Sequence, residues 1–343
     1  MTDEFIVMGA GALGLASAEA LLLQGATVTV LERGAVGRES SWAGGGILAP
    51  LCPWDYPDVV TRLTTRGAAL FGAWAERLHR ATGIDPEYQV SGMLVQPPLD
   101  IEAAELWCAA HGMPAVRTQA GLLLPEVAQV RNPRLLQALR ARVEQLGGRI
   151  VEHCAVQAIS VEHGSVNGVH TERGMFRAQR YLVTAGAWSN LVAGERAGQA
   201  DIKPVRGQML LFKFATPPLR HILLQDGLYL IPRKDGHLLV GSTLEDVGFD
   251  KSTTASAREL LLQRALTLLP ALRDQPLLQQ WSGLRPGSPA NVPRIGRHFE
   301  LENLYINSGH FRYGVTMAPA SIEVLLGEIN GGVGCGSPYQ WRA

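Results

Sequence analysis

Residues 5–32, FIVMGAGALGLASAEALLLQGATVTVLE, decide the fold of the first part of the chain. Residues 5–8 are an apolar run that stops at glycine, which is typical of a buried parallel strand. Residues 13–24 have helical spacing and good helix formers, and Gly25 ends them. Residues 27–31 are largely β-branched and predict a second strand. The stretch therefore predicts a strand–helix–strand unit with a right-handed crossover.

The glycines between the first strand and the helix match the pattern G-x-G-x-x-G. Gly9 allows a tight turn, Gly11 lets the backbone approach a pyrophosphate, and Gly14 lets helix and strand pack closely. The helix N-terminus offers unpaired N–H groups and the positive end of its dipole to phosphates. Glu32, which closes the second strand, can accept hydrogen bonds from both hydroxyls of a ribose. An ordinary glycine-rich turn is the alternative, but this order of elements favours a dinucleotide site.

The composition excludes several classes of protein. Hydrophobic residues make up 46% and charged residues 18% of 343, which is typical of a globular chain. Because 31 Lys and Arg balance 31 Asp and Glu, no overall positive field attracts nucleic acid, and we expect no nucleic-acid partner. The apolar stretch 5–31 contains Glu19, Gln24 and several glycines, so we expect no integral membrane segment and a cytoplasmic protein.

The four cysteines lie far apart and have no zinc-binding spacing, so we expect no metal site. An even number would allow two disulfides, but a chain of this size needs none. We therefore expect reduced thiols.

The rest of the chain alternates between helix–strand units and antiparallel patterns. Helical spacing recurs over residues 62–82, 101–111, 135–146, 257–269 and 319–329. Short alternating strands between residues 205 and 241 predict an antiparallel sheet. We therefore predict an α/β fold with an α+β substrate part. A Rossmann-like nucleotide-binding domain (1–87, 126–204 and 281–343) is interleaved with a smaller antiparallel-sheet substrate domain (88–125 and 205–280).

The fingerprint alone does not separate NAD from FAD, but two features favour FAD. Residues 44–46 are three glycines soon after the second strand, where a bare backbone can approach a second part of a long cofactor. A later strand, residues 180–183, ends in another turn of small residues, at 184–186.

Short motifs over nearly the whole chain resemble, in order, the D-amino-acid oxidase family of flavoproteins, and most of all its glycine oxidase branch. They are the glycine fingerprint with Glu32, then SWAGGGILAP at 41–50, TAGAWS at 184–189, YLIPR at 229–233, GST at 241–243, WSGLRP at 281–286, GHFRYGV at 309–315 and AP at 318–319.

The resemblance implies a non-covalent FAD. At the matching positions, the residues implied to bind it are Gly9, Gly11, Ala12, Leu13, Gly14, Glu32, Arg33, Ser41, Ala43, Gly44, Gly45, Ile47, Val156, Ala185, Gly186, Trp188, Arg285, His310, Phe311, Arg312, Tyr313, Gly314, Val315 and Thr316. Among them, Val156 is similar to the residue whose backbone meets the adenine. His310 stands in a strand-to-helix turn, where a structural role is the alternative.

The resemblance also implies a small amino-acid substrate and two catalytic residues. Arg285 falls on the arginine that binds the substrate carboxylate, and its planar fork can hold a carboxylate bidentately. Tyr229 falls on a tyrosine that assists the same carboxylate. A surface arginine and a packing tyrosine are the alternatives. For the substrate pocket, the resemblance implies Arg312, near flavin and substrate, and Leu244, where glycine oxidases often have methionine.

Two departures from the family pattern bear on the substrate. Tyr313 stands where many glycine oxidases have asparagine, next to the expected flavin ring. Residues 51–58, LCPWDYPD, are bulky and rich in proline, and we expect them to line or cover the active site.

The predicted activity is oxidative deamination of glycine or another small amino acid, by hydride transfer from Cα to flavin N5. Molecular oxygen is the expected acceptor, and the products are an oxo acid, ammonia and hydrogen peroxide. A sarcosine or D-amino-acid oxidase, a quinone-linked amino-acid dehydrogenase, a tRNA-modifying FAD module and a non-catalytic nucleotide-binding protein remain as alternatives. The resemblance further implies a homo-oligomer and a place in thiamine biosynthesis.

Overall fold

The computed structural model describes residues 3–194, 201–331 and 337–340. Its helices are α1 (Ala12–Leu23), α2 (Ser40–Ala43), α3 (Asp58–Thr82), α4 (Ile101–Ala110), α5 (Asn132–Gln145), α6 (Ser189–Ala193), α7 (Ala255–Leu268) and α8 (Gly314–Ile329). Its strands are β1 (Asp3–Met8), β2 (Val28–Leu31), β3 (Gln89–Val90), β4 (Met93–Gln96), β5 (Val116–Thr118), β6 (Gly121–Leu124), β7 (Ala128–Gln129), β8 (Arg149–Val151), β9 (Val156–Glu162), β10 (Ser165–Thr171), β11 (Gly174–Phe176), β12 (Ala178–Val183), β13 (Lys203–Lys213), β14 (Ile222–Gln225), β15 (Leu228–Pro232), β16 (His237–Gly241), β17 (Leu277–Gly287), β18 (Arg294–Arg297) and β19 (Leu304–Ser308).

A six-stranded sheet, in the order β18-β19-β12-β1-β2-β8, forms the centre of the first layer. Strand β1 pairs in parallel with β2 and β12, so that Met8 lies between Leu31 and Val183. The apolar faces of α1, α3, α5 and α8 share one hydrophobic core with this sheet. The predicted strand–helix–strand unit and α/β class are confirmed. Because the parallel strands end at the same edge, their following turns meet there.

The second large sheet has eight strands, in the order β17-β13-β16-β15-β14-β4-β6-β5. Both ranges predicted for the substrate domain contribute to it, and its pairs are antiparallel except for β14 with β4. The predicted boundary between residues 280 and 281 falls inside β17. That strand pairs with β13 from Leu277 to Gly287, with one register shift near residue 278, so residues 281–287 belong to the second sheet.

The last helix begins earlier than predicted. Helical spacing in the sequence predicted a helix over residues 319–329. In the structure, α8 begins at Gly314 and contains Pro319, whose ring removes only one backbone donor. This earlier start brings the N-terminus of α8 to the edge where the turns of the first sheet meet.

Three features bear on the expectations from composition. Cys52, Cys108 and Cys154 are free thiols, and Cys335 lies outside the described residues. Within the described ranges, no helix is both long and apolar enough to cross a membrane. The same ranges contain no group of three or more His, Cys, Asp or Glu side chains arranged to hold a metal ion.

Candidate active site

A cavity of about 380 Å³ lies between the two large sheets, where the strands of the first sheet end. It is lined by the turn after β1, the segment around α2, the turn after β12, three residues of the second sheet (Tyr229, Arg285 and Pro286), and the start of α8. Most of the positions predicted from the motifs line it. The exceptions are Gly14, Ala43 and Leu244.

The glycine turn is packed so closely that side chains cannot enter. Gly9 has a φ of +115°, and a Cβ there would lie 2.7 Å from the Thr184 carbonyl oxygen. A Cβ on Gly14 would lie 1.8 Å from the Gly9 carbonyl oxygen, so a side chain at Gly14 would push the helix away from the turn. Ser41 Oγ accepts a hydrogen bond of 3.0 Å from the Ala12 N–H, at the N-terminus of α1. The bare backbone that results fits a diphosphate.

Glu32 is held rigidly at the end of β2. It is 7% exposed, and its two carboxylate oxygens accept hydrogen bonds from the N–H groups of Ala10 (2.8 Å) and Gly34 (3.0 Å). The residue lines the cavity, and each oxygen has a second lone pair for another donor. The remaining acceptor positions of the carboxylate therefore fit the ribose hydroxyls of a dinucleotide.

A cluster of charged and aromatic side chains closes this end of the cavity. The Arg33 guanidinium carbon lies 3.4 Å from the centre of the Trp188 ring, and Arg33 pairs with Glu39. Lys251, from the loop after β16, reaches the same carboxylate at 3.0 Å. Phe249 of that loop packs on Trp188, with 5.5 Å between ring centroids. The cluster therefore connects the loop after β16 to the Arg33 end of the cavity.

The glycine segment 44–46 is fixed by two side chains whose roles the sequence reasoning missed. The amide nitrogen of Asn132, at the start of α5, donates to the carbonyl oxygens of Ser41 (2.7 Å) and Gly44 (3.1 Å). Arg233 donates to the Gly45 carbonyl oxygen at 2.8 Å. Two features of the sequence could have indicated these roles. One is an asparagine just before a proline at a helix start, and the other is an arginine directly after an apolar strand.

Arg233 is a buried cation that holds backbone rather than ligand. It is 5% exposed, and it also donates to the Gln129 side chain and to the Val130 carbonyl oxygen. Burial lowers its pKa to about 10, so it remains charged at neutral pH. A Cβ on Gly45 would lie 2.5 Å from Ile231 Cδ1, and the second sheet therefore presses directly on this segment.

Arg285 projects from β17 into the cavity. Its terminal nitrogens donate to the Thr243 carbonyl oxygen (3.3 Å) and to Ser242 Oγ (2.6 Å). The guanidinium lies across Gly207, where a Cβ would be 2.0 Å from Nη1. No acidic side chain of the described ranges forms an ion pair with it. Its place in the cavity rules out the alternative of a surface arginine.

The electrostatics of Arg285 favour an anion. Burial lowers its pKa, the positive charge of Arg312 lowers it further, and the neighbouring Tyr229 hydroxyl opposes both effects. Tyr229 is 6% exposed and lines the cavity, and its hydroxyl also points to the Met209 sulfur at 3.9 Å. A bound carboxylate would compensate the charge that burial destabilises.

The segment 51–58 reaches the site through a pair of tyrosines. Tyr313 is 3% exposed, and its hydroxyl donates to the Tyr56 hydroxyl. The rings meet edge to face, with centroids 5.1 Å apart. Leu51 also lines the cavity, so the segment lines the site as expected. Burial raises the pKa of Tyr313 far above its ordinary value, and the phenol stays protonated.

His310 lines the cavity but is occupied within the fold. It is 1% exposed, and Nε2 lies 2.8 Å from Ser321 Oγ. Burial lowers its pKa to about 3, so the ring is neutral at physiological pH. These contacts agree with the structural alternative for this residue.

Two predicted positions lie elsewhere. Leu244 is 58% exposed and does not line the cavity. Thr243 and Glu245 hydrogen-bond to Gln208, and in an extended segment the side chain between them faces the opposite way. Ala43 is buried, and a Cβ on Gly283 of β17 would lie 2.4 Å from its methyl group. Ala43 therefore packs the segment against the second sheet.

Comparisons with known proteins agree with this geometry. The family described as FAD dependent oxidoreductase (DAO) matches residues 4–325. A glycine oxidase of Pseudomonas aeruginosa is 39% identical, over 96% of this chain and 96% of that protein. A bifunctional protein ThiO/ThiG of Nostoc sp. is 31% identical, over 95% of this chain and 52% of that protein.

Among solved structures, glycine oxidase from Geobacillus kaustophilus superposes with a TM-score of 0.92 at 23% identity. The match covers 99% of this chain and 98% of that one, and it shows the shared fold.

The fold, the glycine turn and the buried Glu32 define a dinucleotide-dependent oxidoreductase with a second, substrate-binding sheet. The chain belongs to the DAO family of FAD-dependent oxidoreductases. It is an FAD-dependent amino-acid oxidase similar to glycine oxidase, and the family and cofactor predicted from the motifs are confirmed.

Proposed function

We propose that the chain oxidises glycine or another small amino acid at the carbon next to the carboxylate. The products are an oxo acid, ammonia and hydrogen peroxide, with molecular oxygen as the acceptor. The observation that carries this proposal is Arg285, a cation with no acidic partner among the described residues, in the cavity that also holds the glycine turn. The relatives named glycine oxidase support the size of the substrate.

The side chains bind and orient, while the FAD, when bound, supplies the hydride acceptor at flavin N5. Arg285 holds the substrate carboxylate through its free N–H groups and so fixes the direction of the neighbouring C–H bond. Tyr229, beside the guanidinium, donates to the same carboxylate. Both side chains are anchored in the second sheet, which keeps the clamp rigid.

No base is needed if the amine binds in its neutral form, because its lone pair then forms the C=N bond as the hydride leaves. The described cavity agrees with this requirement. Its acidic side chains, Glu32 and Glu39, lie at the nucleotide end and are already bonded. His310, with a pKa lowered to about 3 by burial, is a poor proton acceptor at neutral pH.

The purified holoenzyme tests the proposal. Without oxygen, glycine, sarcosine, D-alanine or D-proline should bleach the flavin. On admission of air, each turnover should release one hydrogen peroxide, together with one ammonia from glycine or D-alanine, one methylamine from sarcosine, or one cyclic imine from D-proline. If no small amino acid bleaches the flavin, the proposal is wrong. Bleaching with slow reoxidation by air and rapid reoxidation by a soluble quinone would identify the quinone-linked dehydrogenase instead.

Two further parts of the proposal concern partners. We propose a homo-oligomer, which light scattering on the eluting holoenzyme would test. The likeness to the ThiO/ThiG protein supports a place in thiamine biosynthesis, which complementation of a thiamine-requiring strain would test. A tRNA-modifying role is disfavoured by the balanced charge, and salt-dependent RNA binding would support it.

A further inference from the structure

One buried arginine outside the cavity holds a segment that reaches both of its ends. Arg206, on β13, is 4% exposed and does not line the cavity. Its guanidinium donates to the carboxylate of Glu245 at 2.6 and 3.1 Å and to the carboxylate of Asp250 at 2.6 Å. Both acids belong to the 242–252 segment, which follows β16 and precedes α7. A single buried cation therefore binds this segment at two points.

The contact with Glu245 leads to the substrate end of the cavity. Glu245 and Arg206 exchange two backbone hydrogen bonds of 2.9 Å, and the Glu245 carboxylate also accepts from the Thr243 hydroxyl. Arg285 in turn donates to the Thr243 carbonyl oxygen (3.3 Å) and to the Ser242 hydroxyl (2.6 Å). Burial opposes the ionisation of Glu245, but hydrogen bonds from Thr243 and Arg206 outweigh it and lower its pKa. A charged Glu245 therefore fixes the short stretch of backbone that orients the Arg285 guanidinium.

The contact with Asp250 leads to the nucleotide end of the cavity. Asp250 stands between Phe249 and Lys251, so its bond to the buried guanidinium fixes the turn that carries both. Phe249 packs on Trp188, with 5.5 Å between ring centroids, and Lys251 reaches the Glu39 carboxylate at 3.0 Å. Both of these partners line the cavity. The turn is therefore connected to the wall beside which the nucleotide part of FAD fits.

The same segment contains an acid that provides a comparison. Asp246, next to Glu245 in the chain, pairs with Lys203 at 3.1 Å, and both side chains of this pair are exposed. An exposed ion pair is screened by water and contributes little to stability. Arg206 is buried, and loss of either carboxylate would leave its charge partly unpaired, which is far more costly. We therefore expect the contacts of Arg206 to fix the segment more strongly than the surface pair does.

We propose that Arg206 is a positioning residue that holds the substrate end and the nucleotide end of the site in place together. It acts through Glu245 on the orientation of Arg285, and through Asp250 on the retention of FAD. At the substrate end the proposal rests on the oxidase function above, whereas at the nucleotide end it rests on the FAD dependence of the family. Arg206 itself takes no part in the chemistry.

Two measurements on the purified holoenzyme separate the two ends without turnover. Methoxyacetate has the shape of sarcosine, with an ether oxygen in place of the amine, so it presents a carboxylate and is not oxidised. Its dissociation constant follows from the change in flavin absorbance on titration. The retention of FAD is measured as the rate at which flavin fluorescence rises after dilution.

Variants of each contact should affect one end only. Glu245→Gln and Ser242→Ala should raise the dissociation constant of methoxyacetate about threefold to tenfold, the effect of one lost hydrogen bond, and leave FAD release unchanged. In turnover, the same two variants should raise KM for glycine more than they lower kcat. Asp250→Asn and Lys251→Gln should speed FAD release about threefold to tenfold and leave methoxyacetate binding unchanged.

Variants of the arginine should affect both ends. Arg206→Gln should weaken methoxyacetate binding and speed FAD release, and Arg206→Lys should recover part of each. The double variant Glu245→Gln and Asp250→Asn removes both contacts from the other side, so it gives the same test if Arg206→Gln does not fold. The matched control is Asp246→Asn, which makes the same change of carboxylate to amide within the segment and should alter neither measurement.

The outcomes separate this proposal from the proposed function. If the arginine variants alter only one end or neither, or if Asp246→Asn has the same effects as Glu245→Gln and Asp250→Asn, the positioning role of Arg206 is overturned while amino-acid oxidation stands. If Glu245→Gln and Asp250→Asn each alter both ends equally, the loss is a general one and the role is overturned as well. If no small amino acid bleaches the flavin of the unaltered enzyme, the oxidase function fails and the substrate half of the role fails with it.

Discussion

Replacing Arg285 by methionine should remove substrate binding while the flavin stays in place. The contacts with Thr243 and Ser242 use one N–H on each terminal nitrogen of a side chain that lines the cavity, and the guanidinium has further N–H groups for a carboxylate. Two charge-assisted hydrogen bonds to a carboxylate contribute about 1.5–3 kcal/mol each. Their loss should lower kcat/KM by about 10²–10⁴-fold, mainly through KM.

The assay is peroxide release over a wide range of glycine and sarcosine concentrations, with flavin content measured on the same samples. A second variant reaches the same guanidinium without removing it. Gly207→Ala would place a methyl group 2.0 Å from Nη1 of Arg285, so the side chain must move and KM should rise again. A change in kcat/KM below tenfold for Arg285→Met, or release of the flavin, would refute the assignment.

Three other changes test the cofactor side and the buried histidine. Gly14→Ala puts a methyl group 1.8 Å from the Gly9 carbonyl oxygen, so thermal unfolding and flavin fluorescence should show about 1–3 kcal/mol of lost stability and weaker FAD binding; full FAD affinity would contradict the packing argument. Glu32→Gln should weaken FAD binding about tenfold to a hundredfold, since an amide offers one acceptor oxygen where the carboxylate offers two; equal retention of FAD on dilution would argue against the ribose contact. His310, whose pKa burial lowers from 6.5 to about 3, contributes stability that is complete above pH 6.5 and is lost as the pH falls toward 3. Urea unfolding should show that the free energy of unfolding is about 2 kcal/mol lower at pH 5 than at pH 7, and that His310→Gln lacks this difference. The same difference in the variant would disprove the role of His310.

Local sequence patterns were sufficient to predict the nucleotide-binding half of the molecule. The turn at Gly9 and Gly14 follows a buried strand and opens a helix, and both glycines are required by contacts within a few residues or with the neighbouring strand end. The contact of Gly14 with Gly9 lies within one turn of sequence, whereas Gly9 meets Thr184, 175 positions away, and is recognised through the local glycine pattern. The position of Glu32 follows directly, because the parallel register places the end of β2 beside the turn after β1.

The substrate end depends on contacts between distant residues, which adjacent sequence does not specify. Tyr56 and Tyr313 are 257 positions apart, and neither lies in a sequence pattern that indicates a contact with the other. Asn132 holds the Gly44 carbonyl oxygen from a helix that the sequence places 88 residues away. Leu244 illustrates the same limit, since the pairing of its two neighbours with Gln208 turns it to solvent.

The contact between Gly45 and the second sheet explains why the two halves act as one site. Arg233 binds the Gly45 carbonyl oxygen from the end of β15, while Ile231 and Tyr229 of the same strand leave no space for a Cβ there. The glycine segment 44–46, which lines the cofactor side of the cavity, therefore packs directly against β15, the strand that also carries Tyr229. Oxidation requires the substrate C–H bond to be placed within a fraction of an ångström, so a single methyl group at Gly45 would disturb substrate and cofactor together. Gly45 does not have a positive φ, so its backbone conformation alone does not require glycine. The lack of space beside the second sheet accounts for glycine at this position.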